Sequence, residues 1–181
     1  MIIYIQTVWK QCKLGGELAL LKDGTHGTHK DVEKGPYLLS AKNIKNGEII
    51  ITENDRKISE EEFKNIHKNF KLNYNDVLLT TVGSIGETAI LQNPNNITFQ
   101  RSVAYLRPKR ISAFFLYILI QSNHFQKELL KRQVVSAQPG IYLGDLSKIT
   151  ISIPWKIEEQ NKIANNILTI EQAITLHQRK L

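Results

Sequence analysis

A glycine-rich segment that carries two histidines and two threonines is the part of this sequence best equipped for chemistry. It occupies residues 23–29 and reads DGTHGTH. His26 and His29 could chelate a metal, but such a site needs further ligands, and no third cysteine or histidine lies beside them. Threonine hydroxyls and histidine nitrogens can instead hydrogen-bond base edges or phosphates, and glycine allows the backbone a close approach. The segment therefore favours recognition over catalysis.

Patterns typical of catalytic and cofactor sites are incomplete elsewhere in the chain. There is no GxxxxGK[ST] phosphate loop, and Gly83 with Gly86 makes only half of a dinucleotide fingerprint. Glu62 and Lys64 have the ExK spacing of metal-dependent nucleases, but no Pro-Asp pair precedes them and they fall within a predicted helix. We therefore expect no catalytic residue, no bound metal and no cofactor in this chain.

The positive charge of the protein is concentrated in its second half. Its 24 basic and 17 acidic residues leave a net charge of +7. Residues 91–181 hold twelve basic and five acidic side chains, so 12 − 5 accounts for the whole excess. A local excess of this kind attracts a polyanion such as DNA, although many proteins carry a similar charge for solubility alone. Charge by itself therefore leaves nucleic-acid binding open.

Length and cysteine content narrow the class of protein. A chain of 181 residues corresponds to about one domain. The single cysteine, Cys12, excludes an internal disulfide, which fits a cytoplasmic protein. No apolar run approaches the ~18 residues of a membrane span, and residues 1–7 lack the basic start of a signal peptide. We expect a cytoplasmic protein without a membrane segment.

Short β-rich runs separated by Gly, Asn and Asp predict one mixed α/β domain of the α+β type. The predicted strands are 37–40, 48–52, 77–82, 87–91, 102–106 and 149–153. Asn46 and Gly47 predict a hairpin turn, and Ser59 with Glu62 forms a capping box for a helix to about residue 69. Apolar residues at steps of three and four from Ser112 predict a second helix of nearly twenty residues.

The segment after Pro154 has the pattern of a coiled-coil helix. It lacks Gly and Pro, and a/d heptad positions fall on Gln160, Ile163, Ile167, Ile170, Ile174, His177 and Leu181. We predict a globular domain over residues 1–154 and a dimerisation helix over residues 155–181. Dimerisation would use Ile163, Ile167, Ile170 and Ile174, with the polar Gln160 and His177 setting the register. A helix lying on its own domain would show a similar stripe.

A series of motifs, in a definite order, carries a family resemblance. The motifs are residues 9–15, DGTH at 23–26, PYLLSAKNI at 36–44, DVLLTTVGSIG at 76–86, QRSVA at 100–104, QPGI at 138–141, and ISIP at 151–154 followed by EEQ at 158–160. Together they resemble one half of the specificity subunit of type I restriction-modification systems. The resemblance implies a globular target recognition domain over residues 1–154, with a curved mixed β-sheet and packed helices. A coiled-coil-like spacer or dimerisation helix follows over residues 155–181.

The resemblance also implies a non-catalytic role. The chain would read one half of a bipartite double-stranded DNA target. It would dock modification subunits, which use S-adenosylmethionine, and a restriction subunit, which uses ATP and Mg²⁺. It would act as a homodimer or pair with a second half subunit. Two alternatives remain at this stage: a stand-alone dimeric DNA-binding regulator, and a small metal-dependent nuclease using His26, His29 and Glu62.

Candidate DNA contacts lie in the motif loops. Side chains there can form hydrogen bonds to base edges or phosphates, as when asparagine pairs with adenine or lysine reaches guanine. The candidates are Thr25, His26, Thr28, His29, Lys30, Lys42, Asn43, Ser84, Arg101 and Gln138.

Overall fold

A computed structural model describes residues 9–134 and 139–178. The strands are β1 (Trp9–Lys13), β2 (Leu18–Asp23), β3 (Tyr37–Leu39), β4 (Ile44–Lys45), β5 (Glu48–Ile49), β6 (Val77–Thr80), β7 (Thr88–Ile90), β8 (Ile97–Phe99), β9 (Val103–Pro108) and β10 (Thr150–Pro154). The helices are α1 (Glu60–Ile66), α2 (Ala113–Gln121), α3 (Asn123–Lys131), α4 (Leu143–Ser147) and α5 (Ile157–Gln178). The predicted mixed α/β class is confirmed.

A four-stranded antiparallel sheet forms the centre of the domain, in the order β2-β9-β6-β7. Both of its faces are buried, because alternate residues of a strand point to opposite sides. In β6, Val77 and Leu79 pack in one core cluster with Phe115 of α2 and Phe125 of α3, whereas Leu78 belongs to the cluster on the other face. This double burial explains why β6 and β9 read as continuous apolar runs.

Three two-stranded sheets surround the central one in the described part of the chain. β1 pairs with β10 and β4 with β5 in antiparallel fashion, while β3 and β8 are parallel, so the strand pairing is mixed. The predicted hairpin turn is present between β4 and β5. Asn46 (φ 53°) and Gly47 (φ 83°) both have the positive φ that this turn requires.

The single long helix predicted from Ser112 is wrong, because the structure contains two helices there. Ser122 has an extended backbone (φ −62°, ψ 144°), so it ends α2 and begins α3. Its hydroxyl accepts a hydrogen bond from the Phe125 N–H at 3.3 Å, which is the role of a serine N-cap. The apolar stripe continues past the break since Phe125 and Leu129 enter the same core as α2. Sequence periodicity does not register such a break.

The final helix, α5, lies on the domain at its start and is exposed afterwards. Gln160 and Ala164 are fully buried, and Ile163 packs against the core. The predicted role of Gln160 in a coiled-coil seam is therefore wrong: its side chain points into its own domain. Ile170 and Ile174, by contrast, are 59% and 51% exposed. The first turns of α5 therefore lie on their own domain, and pairing of the exposed part with another helix stays a prediction.

His177 is exposed as well, and Leu181 lies outside the described residues. Over residues 9–134 and 139–178, no helix combines the length and apolar character needed to cross a membrane.

Candidate nucleic-acid interface

Strands β2 and β6 end, and β9 begins, at the same edge of the central sheet. β9 is antiparallel to both β2 and β6. Asp23, the last residue of β2, therefore lies opposite Ala104, and Thr80, the last residue of β6, lies opposite Val103. The segments that continue from this edge line a cleft of about 280 Å³. Among its lining residues are Asp23, His26, Thr81, Arg101, Val134 and Tyr142.

Backbone hydrogen bonds hold the glycine-rich segment against this edge. Gly24 N–H donates to the Val103 carbonyl at 2.9 Å, and Thr25 N–H donates to the Phe99 carbonyl at 2.8 Å. In return, Arg101 N–H donates to the Thr25 carbonyl at 3.0 Å. A Cβ at Gly24 would lie 2.1 Å from the Phe99 carbonyl oxygen, so only glycine fits. The segment and the residue Arg101 are thus placed side by side by main-chain contacts.

The cleft presents three polar groups of complementary chemistry. Arg101 is exposed, and the described residues offer its guanidinium no hydrogen-bond acceptor or carboxylate. The His26 ring, 62% exposed, is held through Nε2 by the Asp23 carboxylate. Tyr142, at the N-terminus of α4, is 66% exposed. A guanidinium can pair with guanine or phosphate, an imidazole can donate or accept, and a phenol ring can stack on a base.

Tyr142 and Thr81 are cleft residues that sequence reasoning missed. Tyr142 follows the QPGI motif directly, so an aromatic residue next to a turn motif was the available signal. Its position depends on pairing between distant segments. Ile141 N–H donates to the Thr81 carbonyl at 3.0 Å, and Val134 N–H donates to the Gly140 carbonyl at 3.0 Å.

Thr25 and His29 make contacts that stabilise the glycine-rich segment itself. Thr25 Oγ1 lies 2.8 Å from His29 Nε2, and His29 Nδ1 lies 3.4 Å from the Glu62 carboxylate on α1. The His29 ring is only 11% exposed. Arg56 adds bonds to the His29 carbonyl at 2.9 Å and to Asp31 at 2.7 Å. The His29–Glu62 contact joins the segment to α1, and the Arg56 bonds hold it to the chain that precedes α1.

Two other candidates of this segment, Thr28 and Lys30, are exposed. They are therefore open to a ligand without any change in the surrounding structure.

Lys42 and Asn43 are occupied by contacts within the domain. Asn43 is buried; its Oδ1 accepts from the Ser40 N–H at 3.0 Å and its Nδ2 donates to the Ile50 carbonyl at 2.9 Å. Lys42 forms an ion pair with the buried Asp55 at 2.9 Å. The Lys42 ammonium and the neighbouring hydrogen bonds hold the pKa of Asp55 well below its usual range, against the opposing effect of burial. In this conformation the buried Asn43 amide is used within the domain, whereas the Lys42 side chain is 66% exposed and its ammonium keeps further N–H donors beside the ion pair.

Of the last two candidates, Ser84 lies beside the cleft and Gln138 lies outside the described residues. Ser84 is exposed in the turn between Gly83 and Gly86, and its carbonyl accepts a hydrogen bond from the Thr80 hydroxyl. It is adjacent in sequence to the cleft residues and is not one of them. Gln138 lies outside the described residues, between Val134 and Gly140, which do line the cleft.

The basic residues 101–132 divide into paired and unpaired groups. Arg107 forms two hydrogen bonds of 2.8 Å with the buried Asp76, and this pairing raises the pKa of Arg107. Lys131 and Arg132 both pair with Glu128, and these two cations lower the pKa of Glu128 to about 2. Part of the basic excess in the second half of the chain is therefore neutralised internally, and Arg101 is the member of this stretch that faces the cleft.

The residues required for a nuclease site are not brought together. His29 meets Glu62, but His26 pairs with Asp23 instead. Within residues 9–134 and 139–178, no group of three or more His, Cys, Asp or Glu could hold a metal ion.

The sequence matches a known protein family over most of its length. Residues 29–181 match the family model of the type I restriction modification DNA specificity domain. The chain belongs to this family. Among curated specificity subunits, that of the type I restriction enzyme EcoBI from Escherichia coli is 32% identical over 139 residues, covering 76% of this chain and 29% of the relative. The MjaVIII specificity subunit of Methanocaldococcus jannaschii is 27% identical over 127 residues, covering 66% of this chain and 30% of the relative.

Solved structures share the fold of this specificity domain. The type I restriction-modification S subunit from M. genitalium superposes with a TM-score of 0.63 at 17% identity, over 95% of this chain and 41% of that one. The HsdS subunit from Thermoanaerobacter tengcongensis gives a TM-score of 0.63 at 18% identity, over 95% of this chain and 39% of that one. The specificity domain thus spans less than a third of the curated relatives and about two-fifths of these structures.

Proposed function

We propose that this specificity domain reads one half of a bipartite DNA target through the cleft that contains His26, Arg101 and Tyr142. The observation that carries the proposal is the convergence of these three side chains at one sheet edge, in a chain of the DNA specificity family. They come from three separate segments, and each is exposed. A surface that reads base edges needs such groups on a rigid frame.

Arg101 is the main base-reading residue in this proposal. Its guanidinium can form a bidentate pair with guanine O6 and N7. His26, oriented by Asp23, and Tyr142 complete the contact by hydrogen bonding and stacking. Thr28, Lys30 and Ser84 contribute phosphate contacts from the exposed loops, and these set the orientation of the domain on the duplex.

The chemistry itself belongs to partner subunits. The chain supplies recognition and is non-catalytic. Modification subunits bring S-adenosylmethionine for adenine methylation, and a restriction subunit brings ATP and Mg²⁺ for translocation and cleavage. The assembly acts in the cytoplasm, where the DNA is.

Helix α5 supplies the connection to a second recognition unit. Its exposed Ile167, Ile170 and Ile174 would pair with the same residues of a second copy or with the helix of another recognition domain. Antiparallel self-pairing would place two domains about a two-fold axis, and the target would then be a split palindrome.

Methylation mapping tests the proposal. A host free of adenine methylation would express the cognate modification subunit, with and without this chain, and methylated adenines would be mapped by long-read sequencing. We expect a bipartite motif that depends on the chain. Methylation that needs a second recognition chain and occurs at an asymmetric motif would exclude self-pairing and leave the recognition role of the chain in place. No methylation beside an active modification subunit would contradict the proposal and favour the stand-alone regulator.

A further inference from the structure

A single buried glutamine joins the start of α5 to the rest of the domain. Gln160 Oε1 accepts a hydrogen bond from the Ser112 N–H at 2.7 Å, and its Nε2 donates to the Pro154 carbonyl at 2.8 Å. The side chain is fully buried. One amide thereby connects the end of β10, the N-cap of α2 and the first turn of α5. Both of its polar atoms are satisfied in this arrangement, and a buried polar atom without a partner is unfavourable.

Around Gln160 the first two turns of α5 pack on the domain, where α5 lies against α2 and Ile163 contacts the core. Ser112 Oγ lies at hydrogen-bond distance, 2.5 Å, from Asn161 Oδ1, and Ala164 is fully buried. Beyond Ala164, every described residue of α5 is exposed except Leu168, which is half-buried. In this packed segment the Gln160 amide is the fully buried polar group that joins α5 to two other parts of the domain.

We infer that Gln160 is a positioning residue that sets the direction of α5 and, through it, the number of base pairs between the two halves of the DNA target. The inference rests on the proposed function, in which α5 connects two recognition domains. Its physical basis is that a small rotation at one end of a rigid helix displaces the other end in proportion to the helix length. From Ala164 to Gln178 the helix is about 21 Å long at 1.5 Å per residue. A rotation of roughly 10° at the anchor would move the far end by about 4 Å, close to the ~3.4 Å between adjacent base pairs.

A matched pair of substitutions tests the inference in the full chain. Gln160→Met keeps the length of the side chain and removes both hydrogen bonds, whereas Gln172→Met makes the same change at an exposed position of the same helix. Methylation mapping would compare the length of the spacer between the two half-sites. We expect Gln172→Met to keep the wild-type spacer. We expect Gln160→Met to shift it by at least one base pair, or to yield a mixture of lengths, with unchanged bases in each half-site.

A distance measurement keeps the inference testable without DNA. In a Cys12→Ser background, spin labels at the exposed positions Glu53 and Thr175 would report the domain-to-helix distance, with labelled chain diluted into unlabelled chain. We expect a wider or displaced distance distribution for Gln160→Met than for wild type. Gln160→Leu, which also removes both hydrogen bonds, replaces Gln160→Met if the latter does not fold. Thermal unfolding establishes which variants are folded.

The outcomes separate the two proposals. A folded Gln160 variant with the wild-type distance distribution and the wild-type spacer length would overturn the inference. So would a variant whose methylation falls in proportion to its melting temperature while the spacer length stays the same. A changed distance distribution together with a changed spacer supports it. If the wild-type chain directs no bipartite methylation, the proposed function fails, and the distance measurement still decides whether Gln160 positions α5.

Discussion

Replacing Arg101 with alanine removes the guanidinium that faces the cleft while leaving the fold intact. The side chain is exposed and the described residues give it no acceptor, so the free energy of unfolding should change by no more than about 0.5 kcal/mol. A bidentate contact to guanine is worth about 1–3 kcal/mol of discrimination. At about 1.4 kcal/mol per tenfold change, this predicts a loss of roughly 5-fold to 150-fold in affinity for the target half-site.

The comparison with Lys109→Ala distinguishes base reading from general electrostatics. Lys109 is also exposed and carries the same charge, but it follows the far end of β9, away from the cleft. Fluorescence anisotropy with target and scrambled duplexes over a series of salt concentrations would measure both variants. Arg101→Ala should lose affinity for the target selectively. Loss of a phosphate contact would instead weaken binding to both duplexes. It would also reduce by about 1 the slope of the logarithm of the binding constant against the logarithm of salt concentration. Equal effects of the two substitutions on the target would refute the assignment of Arg101 to base reading.

Three further predictions concern the frame, the helix and the response to acid. Gly24→Ala should lower the melting temperature by many degrees or prevent folding, because its Cβ would lie 2.1 Å from a backbone oxygen; Gly16→Ala, where nothing lies within 4 Å, is the control and should have little effect. Ile170→Asp should weaken self-association in sedimentation equilibrium; at concentrations where both chains are dissociated it should not lower the melting temperature, since the side chain is 59% exposed, and a lower value there would show that it packs on its own domain. Because Lys42 lowers the pKa of Asp55, that carboxylate stabilises the fold above its unfolded pKa of about 3.9, and the contribution is lost as the pH falls through the folded pKa. Lys42→Met should therefore raise the midpoint of acid unfolding followed by circular dichroism, and an unchanged midpoint would contradict the ion pair.

Features that depend on neighbours along the chain were readable from the sequence. The motif series predicted the family, which the match over residues 29–181 confirms. Asn46 and Gly47 predicted the hairpin because a positive φ is a property of single residues. Ser59 predicted the start of α1, and its hydroxyl accepts the Glu62 N–H at 3.2 Å. In each case the physical cause lies within a few residues, so spacing along the sequence is enough to reveal it.

Tertiary structure decided which polar side chains remain available to DNA. Asn43 and Arg101 were equal candidates by residue type, but the Asn43 amide is used by Ser40 and Ile50 while Arg101 faces the cleft. Gln160 looked like part of a dimer seam, yet its partner Ser112 lies 48 residues away in sequence. A hydrogen bond between segments so far apart leaves no trace in local periodicity. The sequence by itself therefore determined the family, the hairpin turn and the start of α1, and only the packing of distant segments determined the cleft and the anchor of α5.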